Sequence, residues 1–252
     1  MSRPLIISGM HRSGTSLLAS WLERCGLTIH AGRVWGAAPG NPRGHFEDRD
    51  FEELHSGQLK RDRPRSRGWI VIDGDPHTFD PDLLERAKDL VDRRNARFAL
   101  WGWKDPRTIC FLDQWHELLP EAGFFFVWRP CAEVVDSLHS RSRRARQRVY
   151  RITRHRALQL WLVQNRRICS FCRRHPRRTV LAPLRHVLDH DREILDQLCS
   201  HFELPLDHVR LNELFEPELL RRTPREVAPT GSRQGSEVDQ VESELEALST
   251  TT

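Results

Sequence analysis

Apolar residues along this chain come in two rhythms that alternate. Short, nearly unbroken apolar runs lie at 3–8, 98–103, 123–128 and 179–182, and they read as strands. The run 123–128 is almost wholly apolar, as a central strand of a parallel sheet is when helices cover both its faces. Between the runs, apolar positions recur at helical spacing. Leu17, Leu18, Trp21, Leu22 and Cys25 share a face over 15–25, and Leu158, Trp161, Leu162, Asn165, Ile168 and Cys172 do so over 154–174. The same periodicity predicts helices over 46–59, 82–94, about 109–119 and 191–202. Pro130 opens a further helix, at the position where proline is tolerated. Strands alternating with helices predict an α/β fold with a parallel sheet and helices on both faces. The Gly-, Pro- and Ala-rich segment 31–44 and the basic segment 61–68 predict loops. From about residue 226 the chain turns polar, so 1–225 is expected to form one domain and 226–252 a mobile tail.

Composition narrows the class. Hydrophobic residues are 38% and charged residues 30% of 252, lean in apolar content but clustered enough to build a core. The longest strongly apolar stretch, 123–128, is too short to span a bilayer. The first residues show no extended apolar core with a small-residue cleavage site, so a soluble, cytoplasmic protein is expected. The formal net charge is +5, and the cations are nearly all arginine, with lysine only at 60, 88 and 104. Two readings of that excess stand side by side: genomic codon preference, and the fit of guanidinium forks to phosphate, sulfate and carboxylate groups. The six cysteines are expected to be reduced thiols. Cys169 and Cys172 form a single CxxC with no second pair at zinc spacing, which reads as structural.

In an open parallel sheet, ligands bind beyond the carboxyl ends of the strands. Three of the four predicted strands end in chemically suggestive groups: Gly9-Met10-His11-Arg12-Ser13-Gly14, Lys104-Asp105-Pro106-Arg107, and Arg129-Pro130. Their convergence predicts one active site. The first has the glycine spacing of a P-loop between a strand and a helix, whose backbone amides and helix N-terminus attract phosphate. The slot that holds Lys-Ser or Lys-Thr in NTP-hydrolysing loops holds Thr15-Ser16 here, and a cation, Arg12, precedes the second glycine by two residues. That substitution argues against ATP or GTP hydrolysis and keeps a grip for an anionic 5′-phosphate group.

The segment His11-Arg12-Ser13-Gly14-Thr15-Ser16 resembles the 5′-phosphosulfate loop of the sulfotransferases that use 3′-phosphoadenosine-5′-phosphosulfate (PAPS). The resemblance implies a P-loop NTPase-like three-layer α/β/α fold with a central parallel sheet. It implies that His11, Arg12, Ser13, Gly14, Thr15 and Ser16 hold the 5′-phosphosulfate, with Arg12 in the basic position. It extends to Arg129 and Ser137, an arginine after a strand and a serine eight residues on, which in many members bind the 3′-phosphate. An arginine fork and a hydroxyl suit that task.

Residues 41–48 resemble a Gly-x-Phe-Glu element of the bacterial, carbohydrate-type branch. That resemblance makes Glu47 the candidate general base, with His45 as the alternative. Asp48 and Glu52 are expected to solvate the helix face, and Glu47 itself can instead be a helix cap. Trp103-Lys104-Asp105-Pro106-Arg107 resembles the family's Lys-Asp-Pro-Arg segment. Lys104 is then a cation for the bridging oxygen or the acceptor, while Asp105 and Arg107 can be a structural pair.

Residues 141–156 carry eight arginines, which fit either an acidic acceptor or an exposed basic surface. Tyr150 is the one aromatic residue there, so nucleic-acid recognition by stacking is disfavoured. The expected function is PAPS-dependent sulfuryl transfer to a hydroxyl or amine of a carbohydrate or small metabolite, with PAPS as co-substrate and no metal required. The rivals are a P-loop small-molecule kinase, which requires ATP and magnesium, and a non-enzymatic polyanion or nucleic-acid binder, whose binding falls steeply with salt.

Overall fold

A computed structural model describes residues 2–34, 46–74, 76–144, 147–214 and 233–250. The predicted strands are present as β1 (Arg3–Ser8), β2 (Leu100–Lys104), β3 (Gly123–Trp128) and β4 (Thr179–Pro183). They form one parallel sheet in the order β2-β1-β3-β4. The helices are α1 (Thr15–Arg24), α2 (Arg49–Asp62), α3 (Pro81–Arg97), α4 (Leu112–Leu118), α5 (Cys131–Arg144), α6 (Arg154–Arg174), α7 (Leu184–Asp189), α8 (Asp191–Phe202) and α9 (Arg233–Thr250).

The strand alternation sends side chains into two cores. Leu5, Ile7, Phe125 and Val127 pack with α1, α7 and α8 on one face. Ile6, Phe124, Phe126 and Trp128 pack with α2, α3, α5, α6 and α9 on the other. The molecule is therefore a three-layer α/β/α sandwich. The chain leaves β1 toward β2 on one side and returns to β3 on the other, so the strand order reverses between β1 and β3. That switch point is where such sheets open a crevice for ligands. The tips of β2, β1 and β3 stand side by side there, with Ile7 opposite Lys104 and Ser8 opposite Phe126.

Several elements depart from the sequence expectation. The helix expected over 46–59 starts at Arg49, because the Asp48 carboxylate caps it by accepting from the Asp50 N–H at 2.9 Å. The helix expected from about 109 begins with a 3-10 turn, Pro106–Phe111, which the Asp105 side chain caps from the Arg107 N–H. The segment expected as a mobile polar tail contains α9. Val241 and Leu245 are buried in the larger core, with Val238 and Leu248 packed beside them. Glu242 Oε1 accepts from the Cys131 N–H at 2.7 Å, which fixes α9 to the start of α5. Positions 238, 241, 245 and 248 form a helical stripe, but it is narrow and sits in a polar background, so periodicity misses it.

All six cysteines are free. Cys169 and Cys172 are buried in α6, and burial pushes the Cys172 thiol up to about 12, as suits an inert core residue. Among the described residues no helix is long and apolar enough to cross a membrane.

Candidate active site

The β1–α1 turn needs its glycines. A Cβ on Gly9 would meet the Val127 carbonyl oxygen at 2.2 Å, so only glycine lets the turn lie against β3. Gly14 has φ +97°, the left-handed region, and a Cβ there would also strike Leu184 at 2.7 Å. Arg12 takes φ +74°, a strained conformation for a non-glycine residue. Its side chain crosses to α5, where Arg12 Nε donates to Ser137 Oγ at 2.9 Å. Thr15 and Ser16 form the first turn of α1.

Two polar atoms of this turn are buried and lack a partner among the described residues: His11 Nε2 and Ser13 Oγ. The His11 ring meets Trp69 edge-on, with centroids 5.1 Å apart. Burial, with Arg107 and Arg141 nearby, holds the His11 imidazole well below the usual histidine range. The unfolded chain therefore binds a proton near pH ~6.5 that the folded chain refuses. The contribution of His11 to stability is present above that pH and is lost as pH falls below it, by about 1.4 kcal/mol per unit. Urea unfolding between about pH 7.5 and about pH 5.5 checks this. His11→Gln is expected to flatten that part of the profile, and an unchanged slope would refute the assignment.

Arg129 follows β3 and reaches the same turn. Its Nη1 donates to the Arg12 carbonyl oxygen at 3.1 Å, while Nε and Nη2 donate to Glu133 Oε2 at 2.9 and 2.6 Å. Glu133 also pairs with the exposed Arg185 at 3.1 Å. Arg12, Ser137 and Arg129 are thus one continuous patch, although the first and last lie 117 residues apart. Burial lowers the Arg12 guanidinium from the ordinary arginine value, and the nearby Arg129 and Arg144 add to that. Such crowded, desolvated cations are stabilised by an incoming anion.

Beside this patch lies a carboxylate held between cations. Lys104 Nζ donates to Glu47 Oε1 at 2.9 Å, and Arg107 Nη1 stands 3.5 Å from Glu47 Oε2. Arg107 also pairs with Glu52 at 3.4 Å and with Asp105 at 3.0 Å, and its Nε donates to the Gly68 carbonyl at 2.9 Å. Asp105 accepts in addition from His55 Nδ1 at 2.8 Å, and Trp115 Nε1 donates to His55 Nε2 at 2.8 Å. An indole N–H can only donate, so Nε2 accepts and the imidazole proton sits on Nδ1. Burial opposes the charge on Asp105, yet Arg107 and the His55 N–H hold its carboxyl far below the usual range. Arg107 is in turn raised by Asp105, Glu47 and Glu52 against its own burial.

The structure brings together His11, Arg12, Ser13, Arg129 and Ser137, and it places Glu47 on Lys104. His45 lies outside the described residues. Glu47 does not cap α2; Asp48 does. The expectation that Asp48 and Glu52 merely solvate the helix is corrected. Asp48 is 1% exposed and pairs with Arg94 at 2.7 Å, and Glu52 faces Arg107. Asp105 and Arg107 do pair, within a larger network. Sequence reasoning missed His55, Trp69 and the partners of Arg141. His55 had a legible signal: it sits in the apolar stripe of α2, between Phe51 and Leu59.

The arrangement can seat a multiply charged anion at one end and accept a proton at the other. The profile of the sulfotransferase family matches residues 4–208. A sulfotransferase from Alicyclobacillus acidocaldarius superposes with a TM-score of 0.53 at 10% identity, over 99% of this chain and 97% of that one, a likeness of fold. A sulfotransferase from Mycobacterium tuberculosis H37Rv gives 0.49 at 13% identity, over 98% of this chain and 77% of that one. The sulfotransferase domain of the Synechococcus PCC 7002 olefin synthase gives 0.48 at 17% identity, over 99% and 94%. Among curated proteins, none matches this sequence.

Proposed function

This chain belongs to the sulfotransferase family, and from that premise we propose that it moves a sulfuryl group from PAPS to a hydroxyl or amine of a carbohydrate or small metabolite. The observation that carries the reading is the convergence of Arg12 and Arg129 on one glycine turn with two unpartnered buried polar atoms, His11 Nε2 and Ser13 Oγ. These residues fit a group with anionic charge at two ends. His11 to Ser16, with the N-terminus of α1, would hold the 5′-phosphosulfate. Arg129 and Ser137 would hold the 3′-phosphate.

When bound, the donor supplies an SO₃ group on a phosphate leaving group. Glu47 takes the proton of the acceptor, and its pairing with Lys104 and Arg107 keeps the carboxylate oriented. Lys104 and Arg12 oppose the negative charge that grows on the departing phosphate. The products are the sulfated acceptor and adenosine 3′,5′-bisphosphate.

Calorimetry tests the donor site. The chain is expected to bind adenosine 3′,5′-bisphosphate without magnesium, and more tightly than ATP with magnesium; the reverse order would favour the kinase reading. Arg129→Ala is expected to weaken the bisphosphate by about 10–100-fold, as loss of charged hydrogen bonds does. It should scarcely change the binding of adenosine 5′-phosphate. Equal losses for the two nucleotides would remove Arg129 from the 3′-phosphate site.

A further inference from the structure

We propose that Arg141 binds an anionic group of the acceptor, so that the acceptor is a hydroxylated acid, bearing a carboxylate or sulfate, rather than a neutral sugar. This rests on the sulfotransfer reading above, because it takes Glu47 as the group that faces the acceptor hydroxyl.

Arg141 lies one turn beyond Ser137 on α5. Its guanidinium carbon stands 5.0 Å from the Trp69 ring and 5.0 Å from the Tyr150 ring. Rings on a guanidinium engage its faces and leave its N–H edges for an anion. Side-chain-to-backbone hydrogen bonds hold the two rings in place. Trp69 Nε1 donates to the Val149 carbonyl at 3.0 Å, and Arg67 Nη1 donates to the Arg148 and Arg151 carbonyls at 2.6 and 2.8 Å. These bonds fasten the turn carrying Tyr150 to the segment carrying Trp69.

Arg154 Nη2 is buried without a partner, but that side chain reaches Asp136 through another nitrogen. Arg141 Nε is buried and unpartnered, and among the described residues the side chain makes no carboxylate pair. Burial, and then the neighbouring Arg12, push its pKa down to about 10. A cation in that state is stabilised by an anion from outside.

Arg141 lies against Trp69, whose ring meets His11 of the glycine turn edge-on. Arg107, which pairs with Glu47, holds the Gly68 carbonyl next to Trp69. Trp69 thus links Arg141 both to the turn and to the Glu47 network, and the far part of an acceptor whose hydroxyl points at Glu47 is assigned to Arg141 on that ground. The arginine-dense stretch 141–156 then has a chemical purpose at its first residue, whereas Arg154 is already neutralised by Asp136.

The test uses the full chain saturated with adenosine 3′,5′-bisphosphate, and calorimetry with two probes that differ in one group, p-nitrophenyl β-D-glucuronide and p-nitrophenyl β-D-glucoside. The glucuronide is expected to bind at least about tenfold more tightly. Arg141→Met fills the space between the rings without charge and is expected to erase that preference. Arg141→Lys should keep part of it. Both variants should bind the bisphosphate within about threefold of the unmodified chain, which also certifies that they are folded. Equal binding of the two probes, binding of neither, or a preference that survives Arg141→Met overturns the inference. A loss of bisphosphate affinity in Arg141→Met as large as that in Arg129→Ala overturns it too, by assigning Arg141 to the donor. If the unmodified chain does not bind the bisphosphate, the donor reading fails by itself, and the probe pair is compared without nucleotide against the same criteria.

Discussion

Replacing Glu47 by glutamine is expected to lower turnover by about 10²–10⁴-fold, the usual worth of a positioned general base, while bisphosphate affinity stays within about threefold. Glutamine keeps the shape of the side chain and removes its ability to take a proton. The change has a second consequence. Lys104 is 1% exposed and Glu47 is the one carboxylate paired with it among the described residues, so the variant strands a buried ammonium. Breaking such a pair from one side costs about 3–5 kcal/mol. Activity and stability therefore fall together in the single variant. Glu47→Gln combined with Lys104→Met, read against Lys104→Met alone so that the loss of the lysine is common to both, separates them, because methionine removes the stranded charge and keeps much of the volume. In the double variant, urea unfolding is expected to recover most of the lost stability, while transfer of labelled sulfate stays depressed. Recovery of both would make Glu47 a structural partner of Lys104 and move the base to His45.

The second large effect concerns Asp105. Its carboxylate sits at the centre of a buried network that joins Trp115, His55, Arg107 and, through Arg107, Glu47. Asp105→Asn is expected to cost about 3–5 kcal/mol, because it leaves Arg107 with part of its charge uncompensated. That is a large share of the stability of any single domain. The pH dependence has a definite sign. The folded carboxyl is held below the unfolded one, so its contribution is complete above the ordinary aspartate value of about 4 and is lost as pH falls below it. This window is separate from that of His11, which opens below pH ~6.5. Denaturant titrations of Asp105→Asn and the unmodified chain should differ most near neutrality and converge toward acid. A loss below about 1 kcal/mol at pH 7 would mean that the network is not worth what its burial implies.

Much of the fold was legible because its signals are local. β1 and β3 are runs bounded by turn chemistry, and the P-loop-like glycines announce a backbone that no side chain can share. The apolar run predicts β2 over 98–103, whereas the strand starts two residues later and ends one later, at Leu100–Lys104. Its last residue is a lysine, a type that argues against a buried strand end until Glu47, 57 residues away, is known to neutralise it. The same reason hid Asp48 and Glu52. On a helix surface they read as solvated carboxylates, and only α3 and the turn after β2 supply Arg94 and Arg107. The stripe of α9 was too narrow to read, because two of its four apolar positions do most of the burying.

The sequence by itself determined the alternation of strand and helix, the glycine turn after β1 and the two cationic strand ends, since each is written in contiguous residues through backbone sterics and side-chain periodicity. Only the tertiary structure decided which charges meet. Pairing of Arg12 with Ser137, of Lys104 with Glu47, and of Arg141 with two rings depends on which tips and loops are brought face to face at the β1–β3 crevice. Electrostatic partnership acts over a few ångströms in space and carries no mark along the chain.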